Sequence, residues 1–187
     1  MSFLIAGLGN IGSEYADTRH NAGFYVLDTL ARLSNISFIS SRYGYIAEYK
    51  FKGKRFLLLK PSTYMNLSGK AINYWLNAEK IDQENMLVVV DDIALPFGSL
   101  RMRKQGSDGG HNGLKDIISS LGNSDFPRLR IGIGGDFPKG GQIDYVLGKW
   151  TDQEIKSLPE IADKAVEVIK LFGTEGAEKA MNYCNSK

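Results

Sequence analysis

A run of five apolar residues, Met86-Leu87-Val88-Val89-Val90, is the feature that most limits what this chain can fold into. It predicts a β-strand, and because every position is apolar, both faces of that strand are expected to be covered. Two acidic residues, Asp91 and Asp92, follow directly and end the strand abruptly. A strand covered on both faces requires a sheet with further layers on each side of it.

Shorter apolar segments and amphipathic segments alternate along the rest of the chain. Residues 3–6 predict a buried strand, residues 45–49 and 55–59 a hairpin, and residues 129–133 a half-buried strand. Apolar residues spaced by three and four positions predict helices after residues 18, 68 and 111, and a helical region that runs from Thr151 to a stop at Gly173. Tyr145-Val146-Leu147 is predicted to add another short strand.

Strands that alternate with helices predict the α/β class. We expect one domain, residues 1–187, built on a twisted, mostly parallel or mixed β-sheet that helices cover on both faces. The sequence contains no repeats, no low-complexity tracts and no linker long enough to separate two domains.

Composition excludes several classes of protein. Of the 187 residues, 43% are hydrophobic and 24% charged, as in an ordinary globular protein, and no apolar run reaches the length of about 20 residues needed to span a bilayer. The single cysteine, Cys184, sits in a polar C-terminal stretch and fits a reducing cytoplasm. One cysteine and two histidines do not make a tetrahedral zinc set. We therefore expect a cytoplasmic protein without a membrane anchor, a metal or a cofactor.

The net charge of +2 is too small to predict nucleic-acid binding, but the basic residues are clustered. They surround the glycine-rich stretch that precedes His111 and continue after it: Arg101, Arg103, Lys104, Lys115, Arg128, Arg130 and Lys139. Such a cluster is either an ordinary solvated surface or a patch that binds phosphates.

Both histidines of the chain lie in nearly the same short motif. His20 opens His20-Asn21-Ala22-Gly23 and His111 opens His111-Asn112-Gly113-Leu114, each at a predicted helix start. Histidine is the side chain that ordinarily titrates near neutral pH. Its confinement to these two places predicts that at least one of them takes part in chemistry.

Polar residues are predicted to meet these histidines at one edge of the sheet. Asn10 follows the first strand, Asn66 follows the strand ending at Leu59, and Asp91 ends the strongest strand. Ligands of α/β sheets settle beyond the carboxyl ends of the strands, because loops and helix N-termini converge there.

The residue types at this edge predict a hydrolytic reaction. A carboxylate such as Asp91 that accepts Nδ1–H of a histidine leaves Nε2 free to take a proton. The sequence has no Gly-x-Ser-x-Gly elbow, and Cys184 is badly placed for an activated thiol, so water is the remaining nucleophile. Asn amides are suited to hold the substrate and stabilise an oxyanion. The residues thus favour a hydrolase that works without metal.

Gly7-Leu8-Gly9-Asn10-Ile11-Gly12 offers a rival interpretation, since it satisfies the Gly-x-Gly-x-x-Gly dinucleotide fingerprint and follows a strand. However, polar residues 13–19 separate its last glycine from the helix, and no second strand ends in an acidic residue at the expected distance. Nicotinamide or flavin binding is therefore disfavoured.

Several long motifs in order resemble the bacterial-type peptidyl-tRNA hydrolases. The first comprises Gly7-Leu8-Gly9-Asn10, Tyr15 and Thr18-Arg19-His20-Asn21-Ala22-Gly23. The second is the stretch of residues 60–69, the third runs over residues 109–117, and the last is Arg128-Leu129-Arg130-Ile131-Gly132-Ile133-Gly134. The resemblance extends from residue 5 to about residue 150. It implies a monomeric α/β hydrolase that cleaves the ester between a peptide and the 3′-terminal ribose of tRNA.

The resemblance also implies a role for individual residues. His20 would be the base that activates water, Asp91 its orienting partner, and Asn10 the residue that holds the 3′-end or the attacked carbonyl. The residues implied to bind peptide and terminal nucleotide, or to line the cleft, are Tyr15, Met65, Asn66, His111 and Asn112. The residues implied to contact tRNA phosphates are Arg103, Arg130 and Lys139.

The chain departs from the family pattern at a few positions. Ile11 stands where the family usually has Pro, and Ala94 where an acidic residue is common. Two other functions stay open on the sequence alone: a non-catalytic tRNA- or ribosome-associated binding protein, and a general esterase. All five of the residues expected at the reacting centre (Asn10, His20, Asn66, Asp91 and Asn112) are present, which favours the enzyme.

Overall fold

The computed structural model describes residues 1–186, which contain seven strands and six helices. The strands are β1 (Ser2–Gly7), β2 (Ile39–Ser41), β3 (Gly44–Phe51), β4 (Lys54–Pro61), β5 (Met86–Asp92), β6 (Leu100–Arg103) and β7 (Arg128–Gly132). The helices are α1 (Ala22–Leu33), α2 (Ser68–Ala78), α3 (Asn112–Leu121), α4 (Gln142–Val146), α5 (Asp152–Glu175) and α6 (Ala177–Asn185).

All seven strands belong to one sheet in the order β2-β3-β4-β1-β5-β7-β6. The four central strands, β4, β1, β5 and β7, are parallel, whereas β2 and β3 on one side and β6 on the other are antiparallel to their neighbours. The carboxyl ends of the four parallel strands therefore meet at one edge. The expected mixed, mostly parallel α/β sheet is confirmed.

Helices cover both faces of this sheet. On one face, α1, α5 and α6 pack against alternate residues of the central strands, such as Ile5 and Val89, and on the other face α2 and α3 pack against Leu4 and Val88. Every residue from Met86 to Val90 is at most 1% exposed. The all-apolar run is therefore a strand between two apolar layers, as its composition predicted.

The first helix lies unusually close to the sheet. A Cβ added at Gly23 would lie 2.4 Å from the carbonyl oxygen of Val89, and one at Gly7 would lie 2.5 Å from that of Gly23. Neither distance leaves room for a methyl group. The absence of side chains at both positions lets the start of α1 rest on β1 and β5, which brings the preceding turn, Arg19–Asn21, to the end of β5.

One predicted element and one predicted helix end are wrong. Residues 145–147 do not form a strand: Tyr145 and Val146 end helix α4, in which the N–H of Tyr145 donates to the carbonyl of Gly141. Gly173 does not stop a helix either, because α5 continues to Glu175. A Cβ at Gly173 would lie 2.2 Å from Phe56, so this glycine serves close packing within the helix.

The C-terminal part also differs from expectation. Cys184 is not in an open polar tail but lies buried on α6, which packs along the edge strand β6, itself not predicted. Burial raises the pKa of the Cys184 thiol to about 11, so the thiol stays protonated and unreactive at neutral pH. Within residues 1–186, none of the helices combines the length and the apolar character that a bilayer-spanning segment needs.

Candidate active site

The predicted polar residues converge where the parallel strands end. Asn10 lies three residues beyond β1, Asp91 is the penultimate residue of β5, and the short turn Met65–Leu67 follows β4. The turn that contains His20 meets Asp91 because α1 rests directly on β5. This is the edge at which open α/β sheets place their ligands.

Asp91 is the centre of this arrangement, since its carboxylate joins both histidines. Nδ1 of His20 lies 3.0 Å from Oδ1 and 2.9 Å from Oδ2 of Asp91. Nε2 of His111 lies 2.9 Å from the same Oδ1. The side chains of Asp91, His111 and His20 are only 2%, 8% and 9% exposed, so these contacts are shielded from bulk water. The sequence predicted a pair of Asp91 with one histidine, but not that the other histidine shares the same carboxylate.

The position of His111 as the N-cap of α3 determines which of its ring nitrogens carries the proton. Its Nδ1 accepts the backbone N–H of Gly113 at 3.1 Å and of Leu114 at 3.3 Å, so this nitrogen carries no proton. Neutral His111 therefore carries its proton on Nε2 and donates it to Asp91. His111 is both a helix cap and a fixed donor to the carboxylate.

One ligand atom each from His20, Asp91 and His111 lies within 4.8 Å of the others, so the three also resemble a partial metal site. A metal ion needs an unprotonated ring nitrogen. The nitrogen of His111 that faces Asp91 carries the proton, because the other nitrogen is held by two backbone donors. The arrangement thus fits a hydrogen-bonded carboxylate better than a bound cation.

His20 is left with one unused nitrogen. Nδ1 donates to Asp91, and Nε2 has no hydrogen-bond partner among residues 1–186. His20 lines an open cleft together with Asp91, His111 and Asn112. An imidazole whose Nδ1 proton is fixed by a carboxylate offers an unprotonated Nε2 to whatever enters the cleft.

The carboxyl of Asp91 stays ionised in this site. Burial favours the neutral acid, but His111 and His20 outweigh it and hold the pKa of Asp91 below its ordinary value of 3.8. The adjacent Asp92 has different partners, since it accepts the N–H of Ala94 at 2.8 Å and pairs with Arg130 at 3.2 Å. Of the two acids, Asp91 is the one that contacts the histidines.

A pair of asparagines fixes the loop after β1. Asn21 accepts the backbone N–H of Asn10 at 2.8 Å and donates to its carbonyl at 2.9 Å, while Oδ1 of Asn10 accepts the N–H of Met65 at 2.8 Å. The side-chain NH2 group of Asn10 has no partner in the described part of the chain and remains free to donate. Sequence reasoning did not single out Asn21, although its place between His20 and the helix was a usable signal.

The other predicted binding residues differ in their exposure. Asn112 is exposed at the start of α3 and lines the cleft beside His20. Asn66, the middle residue of the turn after β4, is exposed but is not among the residues that line that cleft. Met65 is buried in the apolar layer, where its sulfur packs beside Gly113, so its backbone N–H rather than its side chain reaches Asn10. Tyr15 is half-buried and is not among the residues that line the cleft beside His20.

Helix α4 forms an apolar wall of the same cleft. Ile143 and Val146 line it, and the side chain of Ile143 is 68% exposed. Arg19 ties this wall to the turn of His20: it donates to the carbonyl of Tyr145 at 3.1 Å and to Glu154 at 3.1 Å. Because a strand was predicted for residues 145–147, this wall of helix α4 was not anticipated.

The basic residues separate into two groups. Arg103 and Lys139 are exposed, and Arg130 is half-buried at the rim of the cleft. Arg128 is 0% exposed, so it cannot belong to a phosphate-binding surface, and its place in the predicted basic cluster is wrong.

Comparisons with known proteins agree on one family. The family model described as "Peptidyl-tRNA hydrolase" matches residues 4–187. A peptidyl-tRNA hydrolase of Phocaeicola vulgatus is 56% identical over 187 residues, covering all of both chains, and one of Bacteroides fragilis is 54% identical over the same length and coverage. A crystal structure of peptidyl-tRNA hydrolase from Acinetobacter baumannii has a TM-score of 0.92 and 37% identity, and the match covers 98% of this chain and 94% of that one. The chain belongs to the peptidyl-tRNA hydrolase family.

Proposed function

We propose that the chain hydrolyses the ester between a peptide and the 3′-terminal ribose of tRNA by means of a water molecule that His20 activates. The family membership supports the overall reaction. The observation that carries the mechanism is the hydrogen bond of 2.9 Å between Nδ1 of His20 and Asp91, which leaves Nε2 as a base facing the cleft.

The reaction proceeds in two steps. Nε2 of His20 takes a proton from water while the water oxygen bonds to the ester carbonyl, and the negative charge moves to the carbonyl oxygen. The tetrahedral intermediate then collapses, the bond to the ribose oxygen breaks, and the imidazolium of His20 returns the proton to that oxygen. The products are tRNA with a free ribose hydroxyl and a peptide carboxylic acid, which releases its proton to solvent at neutral pH.

Asp91 acts on His20 throughout this sequence. As a carboxylate it keeps the proton of neutral His20 on Nδ1 and stabilises the imidazolium that forms when Nε2 is protonated. No metal is required for either step. The donation from His111 holds the Asp91 carboxylate in place.

Amide groups are suited to hold the substrate. The free NH2 of Asn10 would donate to the attacked carbonyl or to the 3′-end, and Asn66 and Asn112 would bind the peptide and the terminal nucleotide. Met65 would act through its backbone N–H, which holds Oδ1 of Asn10 at 2.8 Å, and Tyr15 would contribute outside the cleft beside His20. We propose that Arg103, Arg130 and Lys139 contact phosphates, which give affinity without reading sequence and so suit an enzyme that serves many tRNAs.

We further propose that residues 1–187 work as one monomeric domain in the cytoplasm. Every group assigned above belongs to the same chain, so no partner subunit is needed to complete the site. The substrate arises during translation, and the protonated, buried thiol of Cys184 is compatible with a reducing compartment.

The decisive experiment replaces His20 by Ala and measures turnover of N-acetylated aminoacyl-tRNA, with the free-amino counterpart as the comparison substrate. The variant is expected to lose most turnover while keeping its melting temperature close to that of the wild type. A folded variant with near-normal turnover would refute the role of His20 as base. Efficient cleavage of a short peptide ester lacking tRNA would instead indicate a general esterase.

A further inference from the structure

Arg128, at the start of β7, is a buried cation that the proposed reaction does not use. Its guanidinium stacks 4.2 Å from the ring of Phe126, and no carboxylate lies within ion-pair distance of it in residues 1–186. Burial and the neighbouring charge of Arg130 lower the pKa of Arg128 to about 10, so it remains charged at neutral pH. A buried charge without an acidic partner is costly unless hydrogen bonds compensate it.

Backbone carbonyls supply that compensation from two separate loops. One terminal nitrogen of Arg128 donates to the carbonyls of Gly106 at 2.9 Å and Ser107 at 3.2 Å. The other donates to the carbonyls of Ser124 at 2.7 Å and Phe126 at 3.3 Å. The first two carbonyls precede α3 and the other two follow it. A single side chain thus joins the two ends of the α3 region.

The middle of the segment of residues 104–111 has few other attachments. Arg130 donates to the carbonyl of Ser107 at 3.0 Å, while the contacts of Asp108 with Gly110 and His111 lie within the segment itself. Gly109 and Gly110 have φ values of 59° and 81°, a conformation that favours glycine and leaves no side chains to pack. Between its two ends, where Lys104 pairs with Glu178 and His111 contacts Asp91, the segment is therefore held by the two arginines of β7.

We propose that Arg128 is a positioning residue for hydrolysis: through the carbonyls of Gly106 and Ser107 it fixes residues 104–111, and with them His111 and Asn112 at the start of α3. This inference rests on the proposed roles of those two residues. His111 must donate to Asp91 at 2.9 Å while capping α3, and a shift of the segment that carries it disturbs both contacts.

The planar fork of arginine suits this role, because its N–H donors diverge in fixed directions toward carbonyls on both sides. A lysine has a single ammonium that keeps the charge but does not reach both loops in this geometry. The substitution Arg128→Lys therefore separates the effect of the charge from the effect of the two-sided attachment.

The test compares Arg128→Lys and Arg128→Met with Arg55→Met. Arg55 is bound to Glu48 and Glu79 at the start of β4, which β1 and β5 separate from β7, and provides a control for the loss of one guanidinium. For Arg128→Lys, kcat on N-acetylated aminoacyl-tRNA is expected to fall by about tenfold, since small displacements of reacting groups are costly. KM is expected to change by less than about threefold, because the exposed cations still bind phosphates.

Amide hydrogen exchange provides a second measurement that does not depend on the reaction mechanism. Exchange at residues 110–114 is expected to accelerate by about tenfold or more in Arg128→Lys, while amides of α2 keep their rates. If Arg128→Met does not fold, Arg128→Lys alone decides the matter. Wild-type exchange at residues 110–114, or an unchanged kcat in a folded Arg128→Lys, would overturn the proposal.

The role of His20 as base and the positioning role of Arg128 can be refuted independently of each other. If His20→Ala keeps its activity while Arg128→Lys loses kcat and gains exchange, the mechanism assigned to His20 is wrong and the positioning role stands. If His20→Ala is inactive while Arg128→Lys behaves like the wild type, the positioning role alone is wrong.

Discussion

Replacing Asp91 by Asn tests how one carboxylate serves two imidazoles. Oδ1 of Asp91 accepts from His111 at 2.9 Å and from His20 at 3.0 Å, whereas Oδ2 lies 2.9 Å from His20 only. An amide of the same shape keeps one oxygen and places an NH2 group at the other position. With the amide oxygen at the Oδ1 position, His111 keeps its acceptor and the NH2 group lies 2.9 Å from Nδ1 of His20, where two donors then face each other. In the other orientation the NH2 group faces the N–H groups of both histidines.

His20 can relieve this conflict by moving its proton from Nδ1 to Nε2, which removes the base that water needs. Loss of a charge-assisted hydrogen bond alone costs about 1.5–3 kcal/mol, or roughly 10- to 150-fold in rate. A reversed tautomer in a comparable histidine–carboxylate pair costs about 10⁴-fold. We therefore expect kcat of Asp91→Asn to fall by about 10³-fold, between the two limits, with a smaller effect on KM.

The assay is steady-state hydrolysis of N-acetylated aminoacyl-tRNA, with Asp92→Asn as the matched variant. Asp92 contacts Ala94 and Arg130 rather than a histidine, so its kcat is expected to stay within about threefold of the wild type. A loss of less than about tenfold in Asp91→Asn would refute the tautomer argument. A larger loss in Asp92→Asn than in Asp91→Asn would show that the orienting role belongs to Asp92.

Three further outcomes follow from the site. His111→Asn is expected to lower kcat while keeping the cap of α3 and the free energy of unfolding. His111→Ala should lower kcat and in addition lose about 0.5–2 kcal/mol of unfolding free energy, because the cap is absent. Kinetics measures the first effect and urea titration the second. Replacing Arg103 or Lys139 by Gln should weaken tRNA binding and lower the slope of log K against log salt by about one each, with kcat unchanged; an unchanged slope would place the footprint elsewhere. The pKa of Asp91 is lower in the folded chain than its ordinary value of 3.8. The ionised carboxylate therefore contributes its full stabilisation above pH 3.8, and this contribution is lost as the pH falls below 3.8. The urea midpoint of Asp91→Asn should accordingly depend less on pH in this acid range than that of the wild type.

Much of the sheet, and the meeting of Asp91 with a histidine at the candidate site, could be predicted from the sequence, because the strongest signals were local. The apolar run of residues 86–90 required cover on both faces, and polar residues following separate strands had to meet if those strands were parallel. The sharing of Asp91 by both histidines depends on how α3 is placed across the sheet. Spacing along the chain does not contain that information.

The errors arose where tertiary packing decided between local possibilities. Tyr145-Val146-Leu147 is too short for its apolar pattern to separate a strand from a helix, and hydrogen bonds within residues 141–147 favour the helix. Gly173 looked like a helix end, but Phe56 requires a glycine there. Arg128 looked like a surface cation because sequence does not reveal which carbonyls a folded loop turns inward.

The two glycines that let α1 rest on the sheet limit what mutational surveys of this enzyme can reveal. Any side chain at Gly7 or Gly23 meets backbone atoms at about 2.5 Å, which no rotamer relieves. In a saturation library selected for growth, both positions would be depleted as severely as His20, although neither touches the ester. Intolerance to substitution would thus not distinguish catalytic residues from glycines whose missing side chains allow those residues to come together.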